Sequence, residues 1–363
     1  MIKSFNAPIN SVSFGQVSVA LLRELFLKEQ DVLICPIGGN VDMTAQGDVD
    51  PSFVQWIERG LKDFDTNHSR KFPTFKLWHL EKSSFSFISE NEALMTFYEL
   101  DDPTPLEKNI AKNVNKLIVT SKYTKSVFDS AGMDCTVVPL GFDKSSFKVL
   151  DKQYHNDDRI VFNLCGKYEF RKHHGKILQA WARKYGNDKR YALQCALFNP
   201  FISPEDNNNV IAQALGGEKY FNISFLPMMQ TNETYNDFLN SSNIIIGMSG
   251  GEGWGLPEFQ SVALGKHSVI LDAHAYQEWA TTENSVLVGS TSKIDCVDGI
   301  FFKKGNDKNQ GQIFDWKEDD FLSACDTAVE RVRGNRVNEE GLKLQDKFTY
   351  TRTLEEISKV LEK

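Results

Sequence analysis

Two stretches of this chain concentrate glycines, cations and carboxylates of the kinds that bind anions and hydroxyls. The first reads Asn243-Ile244-Ile245-Ile246-Gly247-Met248-Ser249-Gly250-Gly251-Glu252-Gly253-Trp254-Gly255-Leu256-Pro257. An apolar run enters a glycine-dense loop, and a proline then opens a helix. Such a strand–turn–helix junction offers orphan N–H groups and the positive end of a helix dipole to an anion. Pro257 suits the first helical position, where its missing N–H costs nothing. Glycine lets the backbone approach a ligand closely. Glu252 is the only carboxylate in the loop. Beside an anion site it would accept hydrogen bonds from hydroxyls attached to that anion, such as those of a sugar. Gln260 follows one turn inside the helix.

The second stretch is Gly166-Lys167-Tyr168-Glu169-Phe170-Arg171-Lys172-His173-His174-Gly175. It follows the apolar run Ile160–Cys165, so it sits at a strand's carboxyl end, where ligands bind in open α/β sheets. Lys167, Arg171 and Lys172 supply the cations that two linked phosphates need. His173 and His174 have no third ligand nearby and read as exposed rather than as metal ligands. Two weaker signals lie earlier. Gly15, in Ser13-Phe14-Gly15-Gln16-Val17-Ser18, resembles a turn that admits a ligand, although a plain helix start fits equally. Glu99, Asp101 and Asp102 end the run Met95–Asp102, where carboxylates could hold a metal–nucleotide, contact a substrate or cap a turn. His79 ends the run Phe75–Leu80 and could face a cleft, although a lone histidine there is more often structural.

Strands and helices alternate throughout, which implies doubly wound parallel sheets. In the first half the helix Val17–Lys28 precedes a strand at Asp31–Ile37. Further strands are expected at Phe75–Leu80, Leu94–Glu99, Leu117–Thr120 and Thr136–Pro139. Ser121 reads as the N-cap of a helix that Gly132 stops. Residues 151–158 are polar and form the candidate linker. The second half has expected strands at Arg159–Cys165, Tyr191–Phe198, Asn222–Leu226, Asn243–Met248 and His267–Asp272, and a helix at Lys176–Tyr185. Leu354–Leu361 is an amphipathic helix.

A chain of 363 residues exceeds the usual size of one core, so two domains are expected. The net charge is −8, and neither half has the basic excess of a general nucleic-acid binder. The local positive excess over residues 59–82 is read as a solvated face. The six scattered cysteines suggest neither zinc nor a redox dithiol and fit a reducing, cytoplasmic setting. The N-terminus lacks a signal-like apolar stretch, and no run of about 20 apolar residues predicts a membrane span. Peripheral membrane contact stays open.

Taken together, these pieces resemble a retaining GT-B glycosyltransferase of the family 4 type. Three stretches carry the resemblance: Phe97-Tyr98-Glu99 with the segments 117–132 and Val138–Asp143; Gly166-Lys167 through Arg171-Lys172; and Ser249–Pro257 followed by Ala263-Leu264-Gly265. The resemblance implies an α/β fold of two Rossmann-like doubly wound domains facing a central cleft. Residues 1–152 would form the acceptor-side domain and 153–345 the nucleotide-sugar domain, with 346–363 a helix crossing back. It implies a nucleotide-sugar donor such as a UDP- or GDP-sugar, no other cofactor and no metal. Lys167 and Lys172 would face the diphosphate and Glu252 the transferred sugar. Gly15 would lie near the donor phosphates, and Glu99 would line the cleft with His79. The donor loop would comprise Lys167, Arg171, Lys172, Ser249, Gly250, Gly251, Glu252, Gly253, Trp254, Gly255, Leu256 and Gln260. The acceptor is left open among a glycan, a lipid-linked molecule and a modified nucleic acid.

The chain departs from the family at four places. Lys167 replaces a usual arginine, and Gln260 replaces a second glutamate. His267 replaces a common proline, and His274-Ala275-Tyr276 stands where a glycine-rich loop is usual. The alternatives are therefore an inactive nucleotide-sugar binder and a sugar-nucleotide epimerase of the same fold.

Overall fold

The computed structural model describes residues 1–155 and 157–362. The first half runs β1 (Ser4–Ile9), α1 (Ser13–Leu27), β2 (Leu33–Val41), α2 (Pro51–Asn67), β3 (Thr74–Leu77), β4 (Glu92–Thr96), α3 (Pro105–Asn113), β5 (Lys116–Val119), α4 (Lys122–Ser130) and β6 (Thr136–Val137). Its six strands are parallel, in the order β2-β1-β3-β4-β5-β6. The sequence does not signal the inner strand β1, second in that order. Its residues include Asn6 and Pro8, which read as turn formers, yet the whole strand is buried. Asn6 is accommodated because its amide donates to Cys35 O at 2.8 Å.

The second half runs β7 (Ile160–Gly166), α5 (His174–Tyr185), β8 (Tyr191–Leu197), α6 (Pro204–Ala214), β9 (Ile223–Phe225), α7 (Asn232–Asn240), β10 (Ile244–Gly247), α8 (Leu256–Ala263), β11 (His267–Asp272), β12 (Val286–Gly289), β13 (Ser292–Asp295), β14 (Gln312–Asp315) and α9 (Glu318–Gly334). Six of its strands form a second parallel sheet, ordered β12-β11-β10-β7-β8-β9. The two doubly wound sheets are the architecture that the alternating pattern implied.

Local chemistry sets the helix ends that frame the cleft. Ser121 caps α4 by accepting from Thr124 N at 3.1 Å, and Gly132 follows with φ +74°. Thr104 and Glu107 form a reciprocal capping box at the start of α3. The final helix, Tyr350–Glu362, buries Tyr350, Leu354, Ile357 and Leu361 and packs on α1, β3 and β4. Thr353 donates to Pro139 O at 2.8 Å, so the tail of the chain returns to the first half.

The antiparallel hairpin β13–β14 is an addition that the sequence reading did not foresee. It leaves the second sheet and reaches the first half. Leu100 joins Cys296, Phe302 and Ile313 in a small apolar cluster. Asp101 accepts from Gln312 N and pairs with Lys293 Nζ, both at 2.7 Å. No helix among the described residues is long and apolar enough to cross a membrane.

Candidate functional site

A cavity of about 870 Å³ opens between the two sheets. Its lining comes from the segments that follow β1, β3, β4, β7, β8, β9 and β10, so both halves present the carboxyl ends of their strands to it. That is where open α/β sheets bind ligands, and the volume suits a small-molecule site.

Both chemistry-bearing loops reach this cavity. Lys172 Nζ contacts Glu252 Oε1 directly, although 80 residues separate them in sequence. Arg171 ties the loops together. Its guanidinium donates to Gly251 O, and it pairs with Glu169 at 2.6 Å and with Glu252 and Glu99 at 3.1 Å. Lys167 pairs with Glu169 at 2.9 Å. Three cations and three carboxylates thus balance one another in one cluster. Glu169 was not singled out from the sequence, because its role depends on Arg171 folding back over it.

The titration of the cluster follows from this balance. Burial opposes ionisation of Glu252, but Arg171 and Lys172 outweigh it and hold the carboxyl well below its usual range. Burial likewise works against Lys172, yet Glu252 keeps its ammonium protonated above the usual lysine value. For Glu99 burial prevails over Arg171, and its proton affinity is raised. Arg171 therefore acts as an internal hub for the carboxylates.

Of the residues expected at the site, Glu252, Lys172, Lys167, Arg171, Glu99, His79, Gly253, Trp254, Gly255, Leu256 and Gln260 line the cavity. Gly15, Ser249, Gly250 and Gly251 do not line it. Gly15 lies under the loop that follows β1, where a Cβ would fall 2.3 Å from Asn10 O. Its neighbours Phe14 and Gln16 do reach the cavity. Ser249 and Gly250 clamp the cationic loop: Gly250 N donates to Arg171 O at 2.8 Å. A Cβ on Gly251 would fall 2.4 Å from Glu99 O, and one on Gly253 would fall 2.7 Å from Phe97 Cβ. These two glycines bring the second half against the backbone of the first. The sequence reading assigned such closeness to a ligand.

His79 sits among Phe14 and Trp78, with ring centroids 4.6 and 5.0 Å away. Asp101 is taken up by the hairpin, and Asp102 N donates to Gln310 O at 3.3 Å. Among the described residues no group of three or more His, Cys, Asp or Glu side chains is arranged to hold a metal ion.

The expectation of exposed His173 and His174 is overturned: both are buried. The ring of His173 meets Phe314 O at 2.8 Å, so β14 covers it. His174 opens α5 beneath the charged cluster, and burial followed by Lys172 keeps its imidazole neutral. His274 is likewise buried, and burial depresses it to about 4, against the hydrogen bond to Ser249 O. Its φ of +43° is the left-handed conformation that glycine favours.

Gln260 faces the cavity, whereas Glu258, two residues earlier on α8, does not line it. Glu258 is buried behind Lys172. Burial pushes its pKa up from the ordinary 4.5 to about 7, with Lys172 opposing and Glu252 adding. Folded Glu258 therefore keeps its proton over a window in which the unfolded chain has lost it. Its contribution to stability is complete below pH 4.5 and is lost as pH rises to about 7. Glu258→Gln removes this titration. In urea unfolding, the variant is expected to gain stability relative to the parent between pH 5 and pH 7.5 (on the order of 1–3 kcal/mol). A difference that stays flat with pH would show that Glu258 is ionised in the fold.

No protein-family model matches the chain. A curated relative, the "Putative glycosyltransferase ORF330" of Acidianus filamentous virus 2, is 25% identical over 251 residues, which are 63% of this chain and 72% of the relative. Among solved structures, Anabaena HepE in complex with UDP and glucose is similar at a TM-score of 0.64, with 14% identity and all of both chains covered. Sucrose-phosphate synthase from Thermosynechococcus elongatus gives a TM-score of 0.64 at 12% identity over 99% of this chain and 98% of its own. The trehalose-6-phosphate synthase OtsA gives 0.66 at 11% identity, over 100% of this chain and 99% of its own. The likeness in architecture extends over the whole chain and agrees with the two facing parallel sheets: the protein has the GT-B fold.

Proposed function

We propose that the protein is a glycosyltransferase. It takes a sugar from a nucleotide-diphosphate sugar, of the UDP or GDP class, and passes it to an acceptor hydroxyl with retention of anomeric configuration and without a divalent metal. The observation that carries this reading is the contact between Lys172 and Glu252 inside a cleft lined by both halves. A cation suited to a phosphate and a carboxylate suited to sugar hydroxyls meet there. A sugar diphosphate offers oxygens to the lysine and hydroxyls to the glutamate, and so satisfies both in place of their mutual contact. The nucleotide-sugar domain of this reading is residues 153–345 and the acceptor-side domain residues 1–152. The curated viral relative supports the transferase class, and the HepE structure in complex with UDP and glucose supports a UDP-sugar donor.

When the glycosidic bond breaks, its electron pair stays with the diphosphate. Lys167, Lys172 and the N-terminal end of α8 are fixed where that charge grows, which is the arrangement that lowers a barrier most. Arg171 holds Glu252 and Glu99 in position. Closure against the first half keeps water from the reacting carbon. Retention requires the acceptor to arrive on the face that the diphosphate leaves.

A panel of UDP- and GDP-sugars tests the reading by protection against thermal unfolding. One donor is expected to stand out, to be consumed in excess chelator, and to give a product whose anomeric proton coupling matches the donor's. Protection by no sugar nucleotide would remove the donor assignment. Turnover abolished by chelator and restored by Mg²⁺ would remove the metal-free clause. Binding without consumption would favour the inactive binder that Gln260 and the altered loop at His274 raise.

A further inference from the structure

We propose that Lys82 and Lys308 form a pocket for an anionic group, phosphate or carboxylate, carried by the acceptor. The inference rests on the transferase reading above and concerns the same cleft. Lys308 belongs to the connection of the β13–β14 hairpin, and Lys82 to the segment that leaves the first sheet after His79. Both line the cavity.

The backbone on either side of Lys308 is pinned to the first half. Thr104 Oγ1 donates to Asp307 O at 2.5 Å, and Asn309 N donates to Glu107 Oε1 at 3.2 Å. These bonds leave little freedom in where the lysine enters the cleft. His79 registers the resulting field. Burial lowers its proton affinity most and Glu81 opposes, while Lys82, Lys167 and Lys308 add to the lowering. Three ammonium groups from three segments therefore act on one imidazole.

The charge balance separates this pocket from the donor side. Glu99, Glu169 and Glu252 are each paired with Arg171, Lys167 or Lys172. Among the described residues, Lys82 and Lys308 form no ion pair. Two lysines that line the cleft outside any ion pair, with Glu81 the one carboxylate acting on His79 beside them, are spare binding capacity for an anion in a chain with net charge −8. An ammonium is a point charge that suits either phosphate or carboxylate.

Calorimetry on the full chain, saturated with UDP, tests this without requiring turnover. The probes are glucose 6-phosphate, glucuronate and glucose, with farnesyl phosphate and farnesol in detergent micelles as the lipid arm. At least one anionic probe is expected to bind about tenfold or more tighter than its neutral counterpart. Each lysine is expected to contribute about tenfold, as charged hydrogen bonds do. Lys82→Ala with Lys308→Ala should abolish the preference while leaving UDP affinity within twofold. Preference in the soluble arm alone assigns the anion to a free sugar, and preference in the lipid arm alone assigns it to a lipid headgroup. Equal binding of every anionic and neutral pair, or a preference that survives the double substitution, overturns the pocket. Failure of every sugar nucleotide to protect the fold, with anion preference intact, strikes only at the transferase reading.

Discussion

Alanine at Lys172, and separately at Glu252, is expected to lower sugar transfer by about 100- to 1000-fold, the loss typical of removing one group that stabilises developing charge. The effect has two sources. In the proposed reaction Lys172 meets the leaving diphosphate and Glu252 the hydroxyls of the sugar. Each is also the other's direct partner in a buried pair. Removing Glu252 leaves Lys172 buried without its ion-pair partner, which costs on the order of 3–5 kcal/mol of stability, whereas removing Lys172 leaves Glu252 paired with Arg171 at 3.1 Å and costs less. Circular dichroism and urea midpoints are therefore needed beside the rate. Glu252→Gln is the control for shape, because it keeps the volume and loses the charge. Donor consumption near the parental rate in the folded Lys172→Ala and Glu252→Gln proteins would show that the pair is structural only.

The second large effect is expected at Gly251, a position that never touches the cavity. A Cβ there would fall 2.4 Å from Glu99 O, on backbone that cannot swing away as a side chain could. Gly251→Ala must therefore move the second half's loop off the first half. Overpacking of this kind costs about 1–3 kcal/mol in stability. The cost in rate is of similar size, because a displacement of about 1 Å at reacting groups loses roughly 100-fold, about 2.7 kcal/mol. The predicted signature is a strong fall in turnover with a small shift in the urea midpoint and nearly unchanged donor affinity. Turnover within threefold of the parent would mean that the contact between the halves is dispensable for the reaction.

Much of the site was legible because its chemistry is local. The apolar run, the glycines, Glu252 and Pro257 lie in one short stretch, and their geometry follows from how a strand passes into a helix. The cationic loop after β7 is local in the same sense. Ser121 and Gly132 marked both ends of α4 for the same reason. The misreadings involve partners far along the chain. His173 and His174 read as exposed, but β14, some 140 residues later, covers His173. β1 was passed over because Asn6 and Pro8 break an apolar pattern, and neighbouring strands make them tolerable. Glu169 lies inside the cationic stretch and Glu258 directly after Pro257, and neither stands out, since nothing in sequence says which carboxylate turns inward.

The hairpin shows the limit most clearly. Its residues carry no motif, yet it anchors to Asp101, Thr104 and Glu107 and delivers Lys308 to the cleft. Residue order alone established two alternating α/β halves, the loop chemistry and the residues able to meet a diphosphate and a sugar. Those follow from short-range rules of hydrogen bonding, periodicity and charge. Folding alone decided that Lys172 meets Glu252, that Arg171 unites three carboxylates, and that Gly251 and Gly253 bring the halves into contact. Those depend on which surfaces the two sheets bury against each other, a balance of packing and desolvation over the whole chain that no short stretch contains.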